Sequence, residues 1–399
     1  MGHAQADGAQ GAVSHILQRP PLCLKGRPKR EVHGRKLIST LHEDGRLIVE
    51  LIEETLRPPK GDEVLVRVEA APINPSDLGL LLASADVENA DYAEGRIVAR
   101  MPEPARRALA GRVGQPMTIG NEAAGTVIAA GEAPEAQALM GKRVAMIGGG
   151  MYAEYRLLGA AGCMALPDDV TAEQGASAFV NPMTALGFVE TMRREGHKAI
   201  VHTAAASNLG QMLVRICQED GIPLVNIVRN DAQVAILRDL GADYVLDSSK
   251  DDFNARLQDA VTATGATIVF DAIGGGDLVS RILHAMEQAA SKAAPYSRYG
   301  SDILKQAYIY GALDLSPTIL TRSFGFGWNV GGWLLFPFLQ KIGGESAERL
   351  RRRVRDGLTT TFASQYKARI SLDQALSRDT VLRYNARRTG EKYLIVPNG

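Results

Sequence analysis

Two hydrophobic rhythms divide the chain. In the C-terminal half short apolar runs alternate with amphipathic stretches: residues 199–203 (Ala-Ile-Val-His-Thr) read as a buried strand, 204–210 as a tight turn of small residues, and 211–219 as a helix. Residues 222–228 form a second apolar run, 231–240 a helical one and 241–247 a third strand, and the runs 267–272 and 306–311 each end beside glycine. Strands and helices alternating in this way predict an α/β domain with a parallel, doubly wound sheet. Earlier in the chain the period is two. Residues 36–51 alternate around Gly45 as a hairpin, and 63–70 alternate as a half-buried strand entered through the turn residues Pro58, Pro59 and Gly61. Further strands are predicted over 117–127, 143–147 and 151–157, so this part is mainly β, and a helix over 171–194 joins it to the α/β part.

The turn at 204–210 carries chemistry. A pyrophosphate is held by free backbone N–H groups and the positive end of a helix dipole, and the backbone can approach it only where side chains are small. Ala204, Ser207 and Gly210 stand at three-residue spacing, like the Ala-x-x-Gly-x-x-Gly form of the dinucleotide fingerprint with serine in the middle. With Asn208 they are candidate cofactor contacts, although small-residue turns between a strand and a helix are common without any ligand. Ligands on doubly wound sheets lie at the carboxyl ends of the strands, which adds Ile273, Gly274 and Gly311; helix caps and turns also want glycine there. Arg229 ends the second strand at the ribose-reading distance from Gly210. Arginine pairs with a 2′-phosphate, whereas an acid would repel it, so the expected cofactor is NADPH, with Asn230 assisting. Asp231 competes as a ribose ligand and equally suits the N-cap of the next helix.

Composition narrows the partners. Lys+Arg and Asp+Glu balance at 45 each, so nothing draws the chain to nucleic acid or an anionic membrane. Cys23, Cys163 and Cys217 make neither a disulfide framework nor a Cys-x-x-Cys pair, which fits a reducing, cytoplasmic compartment. The most apolar window, 324–338, is interrupted by glycines and Pro337 and is too short to span a bilayer. Its Phe324, Phe326, Trp328 and Trp333 suit either a flat wall for a planar ring or a packed contact. Residues 1–35 are arginine-rich and contain Pro20-Pro21; they predict a flexible basic extension, with a mitochondrial transit peptide as the targeting alternative.

Taken in order, Ile73-Asn74-Pro75-Ser76-Asp77, Gly120-Asn121-Glu122, Asn181-Pro182-Met183-Thr184-Ala185, the turn at 204–210 and the closing Thr389-Gly390-Glu391-Lys392-Tyr393-Leu394-Ile395 carry a family likeness. The chain resembles the medium-chain dehydrogenase/reductase superfamily, specifically its zinc-free quinone oxidoreductase and enoyl reductase branch, from about Lys36 to Gly399. The resemblance implies a Rossmann-type doubly wound sheet plus a mainly β, GroES-like catalytic domain. The divisions expected are an extension over 1–35, the first part of the catalytic domain over 36–180, the dinucleotide-binding domain over 181–317 and a return to the catalytic domain over 318–399. It also implies a homodimer paired through an edge strand of the cofactor sheet.

In zinc-dependent members a cysteine, a histidine and a further cysteine or acid occupy places that resemble Asn74, Asn121 and Asn181. Neutral amides are poor Zn²⁺ ligands, so no metal is expected. The activity implied is hydride transfer from NADPH to a small molecule, a quinone or an α,β-unsaturated carbonyl compound. Asn74, Tyr152 and Asn181 are the catalytic candidates, as donors to a developing oxyanion, and Thr184 joins them as a donor or cofactor contact. Tyr152 also reads as a core tyrosine, and His202 as a core histidine. Enoyl thioester reductases carry a tyrosine shortly after the Asn-Pro-Ser-Asp run. Here that place falls near Ala85, with Tyr92 displaced into a longer, arginine-bearing connection over 83–115, either a cover for the site or a solvated surface. The alternatives are a zinc-independent carbonyl or alcohol oxidoreductase and an NADPH-binding protein with little turnover.

Overall fold

The computed structural model describes residues 31–292 and 294–399. The first hairpin is β1 (Val32–Leu41) and β2 (Arg46–Leu56), in register from Val32 opposite Leu56 to Leu41 opposite Leu47. β1 therefore begins ahead of the boundary expected at Lys36, which corrects the end of the expected extension; residues 1–30 lie outside the described residues. Next come β3 (Glu63–Pro72), α1 (Pro75–Leu81), β4 (Asp86–Ala93), β5 (Arg96–Arg100), α2 (Glu103–Ala108), β6 (Pro116–Thr118) and β7 (Glu122–Ala130). α3 (Pro134–Gln137), β8 (Arg143–Ile147), β9 (Tyr155–Gly159) and β10 (Cys163–Ala165) complete the β-rich part.

The helix expected over 171–194 is two helices, α4 (Ala172–Gly175) and α5 (Val180–Arg194). The break has a cause. The N–H groups of Phe179 and Val180 turn to the Glu122 carboxylate at 2.8 Å each, so α5 starts anew on an anion where a helix N-terminus favours one.

The second domain follows as β11 (Ile200–Thr203), α6 (Asn208–Asp220), β12 (Leu224–Val228), α7 (Asp231–Asp239), β13 (Tyr244–Asp247), α8 (Phe253–Thr264) and β14 (Ile268–Asp271). β15 (Gly274–Gly276), α9 (Leu278–Lys292), β16 (Lys305–Ile309), β17 (Asp314–Thr318) and β18 (Trp328–Gly332) lead to α10 (Leu335–Ile342) and α11 (Gly344–Asp356). The chain closes through β19 (Ala368–Ile370), α12 (Arg378–Asn385) and β20 (Tyr393–Ile395).

Six parallel strands lie in the order β13-β12-β11-β14-β16-β18, the 3-2-1-4-5-6 order of a doubly wound dinucleotide-binding sheet. The order reverses between β11 and β14, the switch point where doubly wound sheets take ligands beyond the strands' carboxyl ends. β18 belongs to this sheet, paired in parallel with β16, and α11 is tied to α5 and α6 by Arg349–Glu190 and Arg353–Asp220 ion pairs. The return to the catalytic domain expected at 318 is thus corrected: residues 318–356 still serve the cofactor domain. In the β-rich part the sheets run β4-β5-β2-β1-β6 and β10-β8-β7-β3-β20-β19, with β9 also on β3. β20 carries the C-terminal segment back beside β3, next to Asn74.

Apolar side chains on the inner faces explain the packing. Leu37, Leu47, Val66, Val127 and Ile395 meet in the catalytic core, while Val201, Val225, Val269 and Ala307 line one face of the parallel sheet against α8 and α9. α6 is bounded by its own residues: Ser207 accepts the N–H of Gly210 at the N-cap, and Gly221 ends the helix in the left-handed region at φ 65°.

Candidate functional site

The catalytic side is built outward from Asn74. It caps α1, its N–H donating to Asp77 Oδ2 at 2.8 Å, and Asp77 Oδ1 accepts the N–H of Asn121 at 2.8 Å. Asp77 is therefore a structural acceptor that binds the Asn-Pro-Ser-Asp run to the Gly-Asn-Glu run. Asn74 Nδ2 donates to Glu122 Oε1 at 2.9 Å, and Glu122 Oε2 takes the two N–H groups that open α5. One buried carboxylate so joins β3, β7 and α5, and puts Asn181 and Thr184 on the first turns of that helix, both buried. Asn121 Nδ2 donates to Ser76 Oγ at 3.1 Å. Asn74 Oδ1 is buried without a hydrogen-bond partner.

Charge in this cluster is set by burial. Asp77 is pushed up to about 7 by desolvation, against the pull of its two backbone N–H donors. Burial also raises Glu122, opposed by Lys392 and its N–H donors. Lys392 is brought down to about 8 by burial, with Glu122 and Asp77 working the other way. Its Nζ donates to Ser177 Oγ at 2.7 Å, and Ser177 shares a 2.8 Å hydrogen bond with the Tyr366 hydroxyl.

Tyr152 is not a free donor. It is 1% exposed, and its hydroxyl donates to the Pro72 carbonyl at 3.0 Å, so it belongs to the frame of the site, which corrects its expected catalytic role. Tyr92 is likewise engaged, donating to Val87 O at 2.7 Å within the β4–β5 hairpin. His202 is fully buried, shares a 2.8 Å hydrogen bond with the Tyr310 hydroxyl and is held neutral by burial, its pKa brought down to about 3.

The turn from Ala204 to Gly210 is closely packed against α6. Ala204 adopts φ 50°, a conformation that usually needs glycine. At Gly210 a Cβ would stand 2.1 Å from Ala205 O, so only glycine lets α6 press onto the turn. Asn208 Nδ2 donates to Ser364 Oγ at 3.0 Å. Thr203 Oγ1 donates to Asp271 Oδ1 at 2.6 Å and accepts the Ala272 N–H at 2.9 Å, while Asp271 Oδ2 accepts the Gly274 N–H at 2.7 Å. These bonds fix Ile273 and Gly274 beside the switch point, where Gly311 passes so close that a Cβ would lie 2.5 Å from Ala272 O.

At the end of β12, Arg229 is exposed. Asn230 is the N-cap of α7, its Oδ1 accepting the Gln233 N–H at 2.9 Å. Asp231 is exposed and paired with Lys250 at 2.9 Å. The aromatic wall is corrected too. Trp333 is buried, donating to Thr191 Oγ1 at 3.1 Å and meeting Phe338 at 5.2 Å, Phe324 is in the core, and Phe326 faces solvent. In the 83–115 connection the arginines have local partners: Arg106 and Arg107 pair with Glu103, and Arg112 is buried against Ser39 and Leu80.

Sequence reasoning named Glu122 and Lys392 only as parts of motifs and missed Ser177, Tyr366, Thr203 and Asp271. Ser177 and Tyr366 carry no local signal because they meet Lys392 only through the fold. Also missed was a cavity of about 260 Å³ where α5 meets α10 and α11, lined mainly by hydrocarbon.

Asn74 and Asn121 direct their amide N–H groups to Glu122 and Ser76, and among the described residues no three His, Cys, Asp or Glu side chains gather as a metal group.

The fold and site define a class. Residues 60–168 match the alcohol dehydrogenase GroES-like domain and residues 208–292 the zinc-binding dehydrogenase domain. The chain belongs to the medium-chain dehydrogenase/reductase superfamily. It is similar to the mitochondrial enoyl-acyl-carrier-protein reductase of Rattus norvegicus, 28% identical over 54% of this chain and 52% of the relative; the chain thus spans about half the length of the curated relatives it matches first. A Mesorhizobium loti structure described as an NADPH:quinone reductase is 26% identical with a TM-score of 0.70, covering 92% of this chain and 98% of its own. A mycobacterial structure complexed with NADPH shares the fold at 21% identity and a TM-score of 0.64, over 91% of this chain and 100% of its own. Among the described residues no helix is long and apolar enough to cross a membrane.

Proposed function

We propose that the chain is an NADPH-dependent, zinc-independent reductase of an electron-poor double bond, in an α,β-unsaturated carbonyl compound or a quinone. The observation that carries this reading is the amide cluster: Asn74, Asn121 and Asn181 stand together in the catalytic half, where zinc-dependent relatives need thiolate, imidazole or carboxylate. Such a site stabilises an oxyanion by hydrogen bonds rather than by a Lewis acid.

The nicotinamide supplies the hydride when bound. The chain's residues do the rest. The turn from Ala204 to Gly210 would seat the pyrophosphate on the N-terminus of α6, Arg229 the 2′-phosphate, and the glycines at 274 and 311 would let the flat end of the dinucleotide approach the backbone. Asn181 and Thr184 present donors from α5. Lys392, brought down to about 8 by burial beside Ser177, can return a proton, directly or through water. The neighbouring hydrocarbon cavity suits a substrate with an apolar chain. With β18 as the outer strand of the cofactor sheet and Phe326 exposed just before it, two copies pair edge to edge. Well-separated cysteines favour a cytoplasmic setting.

The test is NADPH consumption by chelator-treated protein, with NADH in parallel, against an enone, a quinone, an enoyl thioester and an aldehyde. Enone or quinone turnover without metal is the expected result, and activity confined to aldehydes or restored only by zinc overturns the reading. Tyr92 and Tyr152 are both engaged elsewhere, which favours one second reading: a protein that binds NADPH with little turnover, diagnosed by tight binding without oxidation across that panel.

A further inference from the structure

The hydrocarbon cavity also has polar residues in its lining. Ile147, Phe179, Met183, Leu335 and Leu339 are apolar, while exposed Gln340 and half-buried Arg351 are polar. Its inner wall adjoins the amide cluster: Ile147 pairs with Glu122, Phe179 donates its N–H to that carboxylate, and Met183 precedes Thr184. Three other arginines of α11 have close partners, and Arg352 faces solvent. Arg349 pairs with Glu190 at 3.1 Å, Arg353 with Asp220 at 2.8 Å, and Arg355 with Asp356 at 3.4 Å. Arg351 has only Glu348, at 3.9 Å, beyond hydrogen-bonding distance, and its Nε is buried with no partner among the described residues. A guanidinium donor left unmatched beside hydrocarbon is costly, and a ligand that completes it removes the cost.

We propose that this cavity selects substrates in which the reducible double bond is followed by a medium-length apolar chain ending in a carboxylate, held by Arg351 and Gln340. The apolar walls take the chain, and the guanidinium takes the anionic end through charge-assisted hydrogen bonds. The assignment of the reacting end rests on the reductase reading; the carboxylate site does not.

Two measurements separate them. Calorimetric titration of the full chain with decanoate and with decanol reads the site directly. Wild type is expected to bind decanoate about tenfold tighter, Arg351→Leu to bind both alike, and Arg351→Lys to keep part of the preference. Equal binding by wild type, a preference that survives in Arg351→Leu, or no binding of either probe overturns the proposal. NADPH consumption is then followed with a medium-chain enone and its ω-carboxylate analogue. The carboxylate should gain about tenfold in kcat/KM, mostly through KM, and lose that gain in Arg351→Leu. Reduction of both without preference overturns the selection while sparing the reductase reading. Binding preference without any reduction leaves the carboxylate site standing and overturns the reductase.

Discussion

At the scale of single residues, position and charge decide two properties. Arg229 is exposed at the end of β12, and its guanidinium has no hydrogen-bond or ion-pair partner among the described residues. Hydrogen bonds to charged groups contribute about 1.5–3 kcal/mol, so Arg229→Glu should raise KM for NADPH roughly 10–100-fold and leave KM for NADH nearly unchanged in parallel initial-rate assays. An equal effect on both cofactors would mean that the arginine does not read the 2′-phosphate. Lys392 makes a different prediction. Burial brings its pKa from the ordinary 10.5 down to about 8, so between those values the folded chain has released a proton that the unfolded chain keeps. The unfolded state binds more protons there, and native stability contributed by this group rises with pH across that window. Lys392→Met should lack that rise, and the difference between wild-type and variant urea midpoints should grow in favour of wild type between about pH 7.5 and about pH 9.5. A difference that stays constant with pH would contradict the burial.

At the scale of elements, Glu122 is the joint. Its three hydrogen bonds tie Asn74 after β3 and the first amides of α5 to β7. Glu122→Gln keeps the shape but sets an NH₂ against donors on one side or the other, so a buried donor goes unmatched. The expected cost is about 1–3 kcal/mol of stability by urea unfolding, with turnover falling more than KM rises because Asn181 and Thr184 ride on α5. Unchanged stability would mean that α5 is placed by its packing alone. The same joint explains why the expected single helix over 171–194 is broken. Local propensity favoured continuing the helix, but a tertiary carboxylate competed for the two amides at its restart.

At the scale of the whole molecule, the parallel sheet ends in β18, whose outer edge is unpaired among the described residues and which is preceded by exposed Phe326. Sedimentation should show a dimer, and Phe326→Asp, which places a charge beside that edge, should shift it toward monomer with the fold retained by circular dichroism. A wild-type monomer at micromolar concentration would remove the expected pairing.

Much of this architecture was legible before any coordinates. The alternation of strands and helices, the small residues at 204, 207 and 210, and the glycines after β14 and β16 report local requirements: a buried strand needs an apolar run, a close approach needs no side chain, and a left-handed turn needs a small residue. Those demands are written residue by residue, so the chain by itself determined the doubly wound sheet and the place of its cofactor turn. Tertiary structure decided what depends on meetings between distant residues. It took Tyr152 out of the chemistry by giving its hydroxyl to Pro72, used Asn230 as a cap, and extended the cofactor domain through β18 to α11. It also brought Lys392 to Ser177 and set Arg351 at a hydrocarbon cavity. Hydrogen-bond partners and burial are properties of the folded neighbourhood, and no periodicity along the chain encodes them.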